Sequence, residues 1–141
     1  MNRLAVQFLD QGFHRMLFDA MPMPIFVVDD DVCILECNAA AVNLLGKNKP
    51  FLIGKRCGEV LNCSHSREVP EGCGRSPDCS GCVVRKSVQA ASRGHSVVRQ
   101  EAKMQFGRNG SRTKAKLRVT CQPFTYEQRK FILLILEGLK D

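Results

Sequence analysis

The sequence has no tryptophan and a single tyrosine, and none of its apolar runs approaches the ~20 residues needed to cross a bilayer. The longest apolar run, residues 131–136, has the length of a β-strand. Residues 1–10 lack the basic region, apolar stretch and small-residue cleavage site of a secretory signal. We therefore expect a cytoplasmic protein with no membrane span.

Sequence motifs of nucleotide and hydrolase chemistry are also absent. The chain has no Gly-x-x-x-x-Gly-Lys-Ser/Thr phosphate loop, no Gly-x-Gly-x-x-Gly turn and no Gly-x-Ser-x-Gly elbow. The carboxylates at 29–31 resemble a hydrated turn rather than a catalytic pair. With 141 residues, the chain is also too short for a complete kinase, cyclase or polymerase. We expect no catalysis on this chain, and a function in binding or sensing.

Charge is plentiful but unevenly distributed. The net charge is +7, yet residues 85–118 contain ten Lys or Arg against the single acid Glu101, so this block carries +9 and the rest of the chain −2. Such a block can bind nucleic acid, and a small zinc-dependent nucleic-acid-binding protein is the alternative function. We favour the solvated faces of strands, because the block has one aromatic residue, Phe106, for base stacking and no long basic helix.

Hydrophobic periodicity predicts helices and strands in one chain. The first twenty residues have apolar side chains at helical spacing and predict an amphipathic helix, which Pro22 and Pro24 end. A hairpin of residues 25–28 and 32–37 follows, with Cys33, Leu35 and Cys37 on one strand face. Further on, the pattern predicts two helices, over residues 39–45 and 82–92, and three antiparallel strands, over residues 98–106, 114–121 and 131–136. In these strands Val98 and Ala102 are expected to share the apolar face, and Leu117 and Val119 alternate with charged residues at a period of two.

Two details of this pattern say how the elements are held. Asn38 is a suitable N-cap for the helix that Gly46 is expected to end. The last strand, residues 131–136, is apolar on both faces, so each face needs a cover. The core covers its inner face, and the amino-terminal helix or a second subunit is expected to cover the outer one.

The order of elements and several stretches of sequence resemble a PAS sensory domain. Residues 21–29 resemble the family's first strand, residues 34–41 its second strand and asparagine-capped helix, and residues 44–46 and 53–55 later landmarks. The likeness covers about residues 10–138. It implies an α+β fold with a five-stranded antiparallel sheet, short helices over one face and an amino-terminal amphipathic helix.

The same resemblance implies a sensory module of a bacterial signal-transduction protein, such as a sensor histidine kinase or regulator in a phosphorelay. Residues 1–22 are then a dimerisation segment and residues 23–138 the PAS domain, which passes its signal to a kinase or other output domain in a longer chain. Residues 136–141 look like the start of a signalling linker. A pocket for a small-molecule ligand is expected to be lined by Phe26, Val28, Leu44, Leu117 and Val119.

Four of the eight cysteines form a cluster, Cys63-x9-Cys73-x5-Cys79-x2-Cys82, within the cysteine segment, residues 57–82. Without a secretory signal, such a cluster favours a metal site over disulfides. The Cys79–Cys82 spacing lets two thiolates reach one tetrahedral centre, with Cys63 and Cys73 as the other half and His65 as a spare ligand. The segment also resembles a cysteine-bearing insert of some bacterial PAS sensors.

The sequence leaves the identity of the bound group open. A [4Fe–4S] cluster would make a redox or oxygen sensor, and zinc would make a structural clip. Disulfides and unligated thiols also stay open, and a thiol redox enzyme using Cys79 and Cys82 carries less weight. Flavin at Cys57 is disfavoured because the flanking polar residues of the photoreceptor motif are missing. Haem at His65 or His95 is disfavoured too.

Three of the remaining cysteines are predicted to be core residues. Cys33, Cys37 and Cys121 fall on apolar strand faces, where buried cysteine packs as a small hydrophobe. Met21, Met23 and Met104 are interpreted in the same way, as core residues before they are considered as ligands. With flavin at Cys57 disfavoured, these assignments leave Cys63, Cys73, Cys79 and Cys82 as the cysteines expected to carry chemistry.

Overall fold

The structure is a computed structural model that describes residues 12–61, 63, 70–75, 79, 81–108 and 111–138. For residues 105–108 and 111–114 it describes the backbone only. The helices are α1 Phe13–Ala20, α2 Ala39–Leu45, α3 Lys49–Leu52, α4 Cys57–Val60 and α5 Val83–Ser92. The strands are β1 Ile25–Val28, β2 Ile34–Cys37, β3 Val97–Arg108, β4 Ser111–Tyr126 and β5 Arg129–Glu137.

Across the described residues, the strands form a five-stranded sheet in the order β2-β1-β5-β4-β3. Each neighbouring pair is antiparallel, and β5 is hydrogen-bonded to β1 on one side and β4 on the other. The α5 helix packs across β3, β4 and β5. The predicted α+β fold, an antiparallel sheet of five strands with several short helices, is confirmed.

The core lies between α5 and the inner face of the sheet. α5 buries Val84, Val88 and Ala91, which recur at the three-to-four spacing of one helix face. From the sheet, β4 contributes Leu117 and Val119, whose alternation with charged residues is the predicted period of two. The α5 helix therefore covers β3, β4 and β5 on this face, and the core continues under the shorter helices through Ala41, Leu52 and Val60.

The β1–β2 hairpin departs from the alternation expected in β2. Ile34 is fully buried, whereas Cys33 and Leu35 are half-buried, so the predicted face is wrong for these three residues. The reason is a register shift in the pairing with β1, which leaves Leu35 as an extra residue. Such a bulge changes the phase of the alternation, and Cys37 beyond it is buried as predicted.

A second irregularity lies at the start of β3. The register with β4 shifts between Val97 and Gln100, and Arg99 has a φ of 50°. As a result Val97 packs against the core, and Val98, expected to face inward, is 71% exposed. The alternation recovers afterwards, because Ala102 is buried as expected.

The α1 helix lies against the outer face of the sheet, where Phe18 and Met21 share a groove with Val27 and Leu133. It ends at Ala20, ahead of the two prolines, as the sequence predicts. The part of the predicted helix in residues 1–11 lies outside the described residues. None of the helices described is long and apolar enough to span a membrane.

Candidate functional site

Cys63 and Cys73, two of the four predicted metal ligands, lie against the first turn of α4. A Cβ atom placed on Gly58 would be 2.7 Å from the Cys73 Sγ atom and 3.5 Å from the Cys63 Cβ atom. α4 begins here because the Glu59 carboxylate accepts a hydrogen bond from the Arg56 amide (3.1 Å), as in a capping box. The fold therefore brings Cys63 and Cys73 to one stretch of backbone, where a larger residue than glycine would not fit.

The other two predicted ligands, Cys79 and Cys82, lie at the amino-terminal end of α5. Cys82 directly precedes the helix, and its amide donates a hydrogen bond to the Cys79 carbonyl (3.1 Å). Burial raises the pKa of the Cys82 thiol, while the backbone N–H groups of Arg85 and Val84 oppose that rise. The Cys82 pKa is raised overall, so burial outweighs the effect of the helix end and the unligated thiol is held neutral.

Arg85 joins the two halves of the cysteine segment. It lies one helical turn after Cys82, and its side chain is 11% exposed. Its Nη1 donates to the Asp31 Oδ1 (2.8 Å) and its Nη2 to the Asp31 carbonyl (3.3 Å). The same Nη2 contacts the Cys73 carbonyl (3.4 Å) and the Cys73 Sγ atom (3.7 Å). One buried guanidinium thus binds both Cys73 and Asp31.

Gly74 makes room for this guanidinium. Its φ is 84°, in the left-handed region that side-chain-bearing residues rarely adopt, and a Cβ atom there would overlap the Arg85 guanidinium. The backbone beside Cys73 can therefore lie directly on Arg85 because residue 74 has no side chain. The glycine is a packing requirement of the Cys73–Arg85 contact.

Asp31 receives hydrogen bonds from three arginines. Besides Arg85, the Arg56 Nε donates at 3.0 Å and the Arg75 guanidinium donates twice, at 2.9 and 3.1 Å. Burial alone would raise the pKa of Asp31, but the hydrogen bonds from Arg75, Arg85 and Arg56 hold it well below its usual value. The carboxylate therefore remains ionised near neutral pH, and it ties the β1–β2 turn to the cysteine segment. We call these four residues the Asp31 clamp.

The turn that carries Asp31 is strained. Val32 has a φ of 63° and is 1% exposed, and this conformation is a genuine outlier for a β-branched residue. It is held from both sides: the Asp29 Oδ1 accepts from the amides of Asp31 (2.9 Å) and Cys33 (3.0 Å). The Val32 carbonyl accepts from the Cys57 amide (3.1 Å). The β1–β2 turn is therefore fixed by its contacts rather than by local preference.

The four predicted ligands share one region without forming a coordination sphere. Among the residues described, no group of three or more His, Cys, Asp or Glu side chains is placed to hold a metal ion. None of the eight cysteines, all of them described, forms a disulfide. His65 lies outside the described residues. Thiols are the donors that zinc and iron–sulfur clusters take, and metal binding commonly orders its own ligands, so the donor chemistry suits either group.

The other cysteines behave as core residues, with one exception. Cys37 and Cys121 are fully buried as predicted, and burial raises the pKa of the Cys121 thiol to about 12. Cys57 is 1% exposed, and burial raises its pKa well above the usual value. Cys33 is half-buried, and its backbone forms an isolated antiparallel β-bridge with that of Arg56. The thiols of Cys37, Cys57 and Cys121 are therefore held neutral.

The predicted pocket residues are mostly core residues. Phe26, Val28, Leu117 and Val119 are at most 2% exposed. Leu44 is half-buried, and the core contacts of α2 come from Ala41, Val42 and Leu45. That these five residues line a ligand pocket stays a prediction.

Two cavities lie away from these five residues. One, of about 580 Å³, lies between the β1–β2 turn, the end of α5 and the β4–β5 hairpin. It is lined by Asp29, Asp30, Ser92 and Lys130, among others. The second, of about 450 Å³, is the groove between α1 and the sheet. Both have volumes in the range that small ligands occupy.

Among the described basic side chains of the block at residues 85–118, Arg99, Lys103, Lys116 and Arg118 are exposed on strands, as expected for solvated charges. Lys103 and Lys116 are paired across β3 and β4. Arg118 lies opposite Glu101 on one side and Glu137 on the other, so part of the charge meets acids. Because Arg85 is buried in the Asp31 clamp, the block is not one continuous cationic surface.

Comparison with known proteins agrees with this architecture. A family model described as PAS domain matches residues 12–78. The chain has the PAS fold. No curated protein matches the sequence. The expected resemblance is thereby confirmed, and β3, β4 and β5 continue the PAS fold beyond the matched residues.

Several solved PAS domains share the fold. The PAS domain of nitrogen regulation protein NR(II) from Vibrio parahaemolyticus has a TM-score of 0.64 at 14% identity, over 92% of this chain and 100% of that one. The PAS domain of the HTR-like protein from Haloarcula marismortui gives 0.56 at 20% identity, over 89% and 94%. The PAS domain of BvgS from Bordetella pertussis gives 0.56 at 16%, over 99% and 89%. This chain therefore shares its fold with PAS domains of other proteins.

Sequence reasoning did not find the Asp31 clamp. It treated residues 29–31 as a hydrated turn, whereas Asp31 binds Arg56, Arg75 and Arg85, which lie 25 to 54 positions further along the chain. The available signal was the placement of basic residues among the cysteines, opposite a turn with three carboxylates. Pairing them required the tertiary fold.

Proposed function

We propose that this PAS domain is the sensory and dimerisation module of a bacterial signal-transduction protein, and that it receives its signal at the cysteine segment. Any kinase or other catalytic output is placed in a longer chain, and this domain performs no catalysis. Support comes from the PAS fold, which this chain shares with the PAS domains of a nitrogen regulation protein and of BvgS. The chemistry of the cysteine segment supports it as well.

A single observation carries the proposal for the cysteine segment. The sulfur of Cys73 lies 3.7 Å from the Arg85 Nη2 atom, and the same guanidinium is bound to Asp31 on the β1–β2 turn. A structural change at Cys73 can therefore reach the β1–β2 turn through Arg85, and a sensor needs such a connection between its signal site and the sheet. Loop cysteines packed only against solvent would have no such connection.

The group that Cys63, Cys73, Cys79 and Cys82 bind is proposed to be a metal centre, either a [4Fe–4S] cluster or zinc. Both use cysteine sulfur donors, and the two halves of the segment meet at Arg85, which contacts Cys73 and lies one helical turn after Cys82. A cluster would let oxidants release the segment, and zinc would hold it closed. The two alternatives predict different colours and different metal contents.

Dimerisation is proposed to use α1. Three of its apolar side chains are exposed, with Met16 at 73%, Phe13 at 48% and Leu17 at 47%. On the outer face of β5, Leu133 and Ile135 are only half-buried. An apolar helix face beside a partly covered apolar sheet face suits a second copy of the chain.

The metal proposal is tested by anaerobic purification followed by absorption spectroscopy and analysis of iron, zinc and sulfide. The variants are Cys79→Ser and the matched control Cys33→Ser, which changes a half-buried cysteine outside the segment. A cluster is supported if the protein is brown, absorbs near ~400 nm and contains iron and acid-labile sulfide. A structural zinc site is supported if the protein is colourless and contains one zinc ion per chain. Either metal should be lost in Cys79→Ser and retained in Cys33→Ser.

Two outcomes would contradict the proposal. If wild-type protein purifies without iron or zinc and binds neither when they are added, the four cysteines are not a metal site. If Cys33→Ser loses the metal as fully as Cys79→Ser does, the ligands lie elsewhere. Steep salt dependence of oligonucleotide binding would instead favour a nucleic-acid-binding protein.

A further inference from the structure

Arg85 stands between the cysteine segment and a strained part of the sheet. Its guanidinium contacts the carbonyl and the sulfur of Cys73 on one side, and the carboxylate and the carbonyl of Asp31 on the other. The residue after Asp31 is Val32, with its φ of 63°. A planar guanidinium with several fixed donors can hold both groups at once.

The contacts around this link leave little freedom for independent movement. Gly74 lies directly on the guanidinium, with no room for a Cβ atom, and the Arg85 side chain is 11% exposed. Any displacement of Cys73 must therefore move Arg85 or break its contacts. Movement of Arg85 in turn withdraws hydrogen bonds from both the side chain and the backbone of Asp31.

Val32 makes the β1–β2 turn responsive to that withdrawal. A strained conformation persists only where surrounding contacts impose it, and Asp31 is held by contacts from three arginines. Removing the Arg85 contacts withdraws part of the restraint on the turn, which the Asp29 and Cys57 contacts share, and the turn leads directly into β2. The strain is thus stored where the cysteine segment meets the sheet.

We propose that Arg85 is the positioning residue that couples Cys73 to the β1–β2 turn, so that a change at the cysteines alters the conformation of Asp31 and Val32. This deepens the proposed function, on which it rests, by naming the route from the cysteine segment to the sheet. Arg75 is a natural comparison, because its guanidinium donates to the same Asp31 carboxylate.

The test is a mutant cycle on the full chain, in reducing buffer, with denaturant unfolding as the readout. Cys73→Ala and Asp31→Asn are combined in three backgrounds: wild type, Arg85→Lys and Arg75→Lys. In wild type, we expect the two changes to be non-additive by about fivefold in the unfolding equilibrium constant. Arg85→Lys should abolish the coupling, because an ammonium cannot bridge both groups, and Arg75→Lys should leave it.

Amide hydrogen exchange supplies a readout that simple destabilisation does not move. Cys73→Ala should speed exchange at the Val32 and Cys33 amides, which are bonded within the turn to Asp29, and the acceleration should vanish in Arg85→Lys. Additive effects in the wild-type background, or coupling that survives Arg85→Lys, would overturn the proposal. If Arg85→Lys fails to fold, additivity of Cys73→Ala and Asp31→Asn still decides the matter.

The outcome is independent of the metal analysis. Coupling through Arg85 with no metal bound would leave the link intact and reject the metal centre. Metal bound at the four cysteines with additive effects at Cys73 and Asp31 would keep the centre and reject Arg85 as its route to the sheet.

Discussion

At the scale of single residues, the chemistry of this domain is concentrated in the Asp31 clamp. One carboxylate neutralises part of the charge of Arg56, Arg75 and Arg85, and these arginines come from three different parts of the chain. Removing the carboxylate would leave Arg85 buried with fewer acceptors. Breaking such a pair from one side costs more than the pair itself contributes, because a buried charge is left without its partner.

We predict that Asp31→Asn lowers the free energy of unfolding at pH 7 by about 2 kcal/mol, as expected for hydrogen bonds to a charged group that is partly screened by solvent. The folded-state pKa of Asp31 is lowered, so its stabilisation is complete above the unfolded pKa of about 3.9 and is lost as the pH falls through the folded value. Urea unfolding at several pH values between ~2 and ~7 measures both effects.

The matched control is Asp30→Asn, which changes an exposed carboxylate in the same turn. It should alter stability by no more than about 0.5 kcal/mol. The Asp31→Asn variant should also lose stability less steeply in acid than wild type. An equal acid dependence in wild type and Asp31→Asn would show that the clamp does not control the titration of this carboxylate.

At the scale of elements, Asn38 joins the ends of α1, β1 and α2. It is fully buried, and its Oδ1 accepts from the amides of Ala41 (3.1 Å) and Ile25 (3.0 Å). Its amide nitrogen donates to the carbonyls of Phe18 and Met23 (3.2 and 3.0 Å). A single side chain therefore caps α2 and anchors the segment between α1 and β1. The sequence indicated only the capping role.

Asn38→Ala should destabilise the domain by about 3 kcal/mol, because it removes an N-cap and leaves several buried backbone groups without a partner. Asn38→Ser keeps a capping oxygen and should recover about 1 kcal/mol of that loss. Asn43→Ala is the control, since Asn43 is exposed on the same helix and alanine favours a helix. Denaturant midpoints of the three variants measure the difference, and equal midpoints for Asn38→Ala and Asn43→Ala would contradict it.

Strand patterns were predictable except where a bulge intervened. The alternation of Leu117 and Val119 with charged residues placed the inner face of β4 correctly. The same reasoning reversed Ile34 and Leu35 in β2, because the register with β1 shifts there. A bulge is decided by pairing with a partner strand, so a period of two within one segment cannot reveal it.

At the scale of the whole molecule, the PAS fold leaves α1 with exposed apolar side chains beside the outer face of the sheet. Met16 is the most exposed of them. A charge at this position would be desolvated in a dimer that uses α1, yet it would remain in solvent in the monomer. Replacing Met16 by a charged residue therefore tests self-association without disturbing the folding of the monomer.

We predict that Met16→Glu weakens self-association at least about tenfold and leaves the thermal midpoint of the monomer nearly unchanged. Sedimentation velocity over a concentration series measures the dissociation constant. Gln89→Glu adds the same charge at an exposed position of α5 and serves as the control. A monomeric wild type, or equal dissociation constants for all three proteins, would remove α1 from the proposed dimer.

The sequence by itself determined the order of elements, the PAS resemblance and the grouping of four cysteines, because these depend on local periodicity and spacing. Tertiary structure decided the rest. It placed Cys63 and Cys73 together at Gly58 and joined Asp31 to arginines far away in the chain. It also shifted, through irregular strand pairing, which side chains of β2 and β3 face the core. Contacts between distant residues depend on how elements pack, and no local pattern records which carboxylate an arginine will meet.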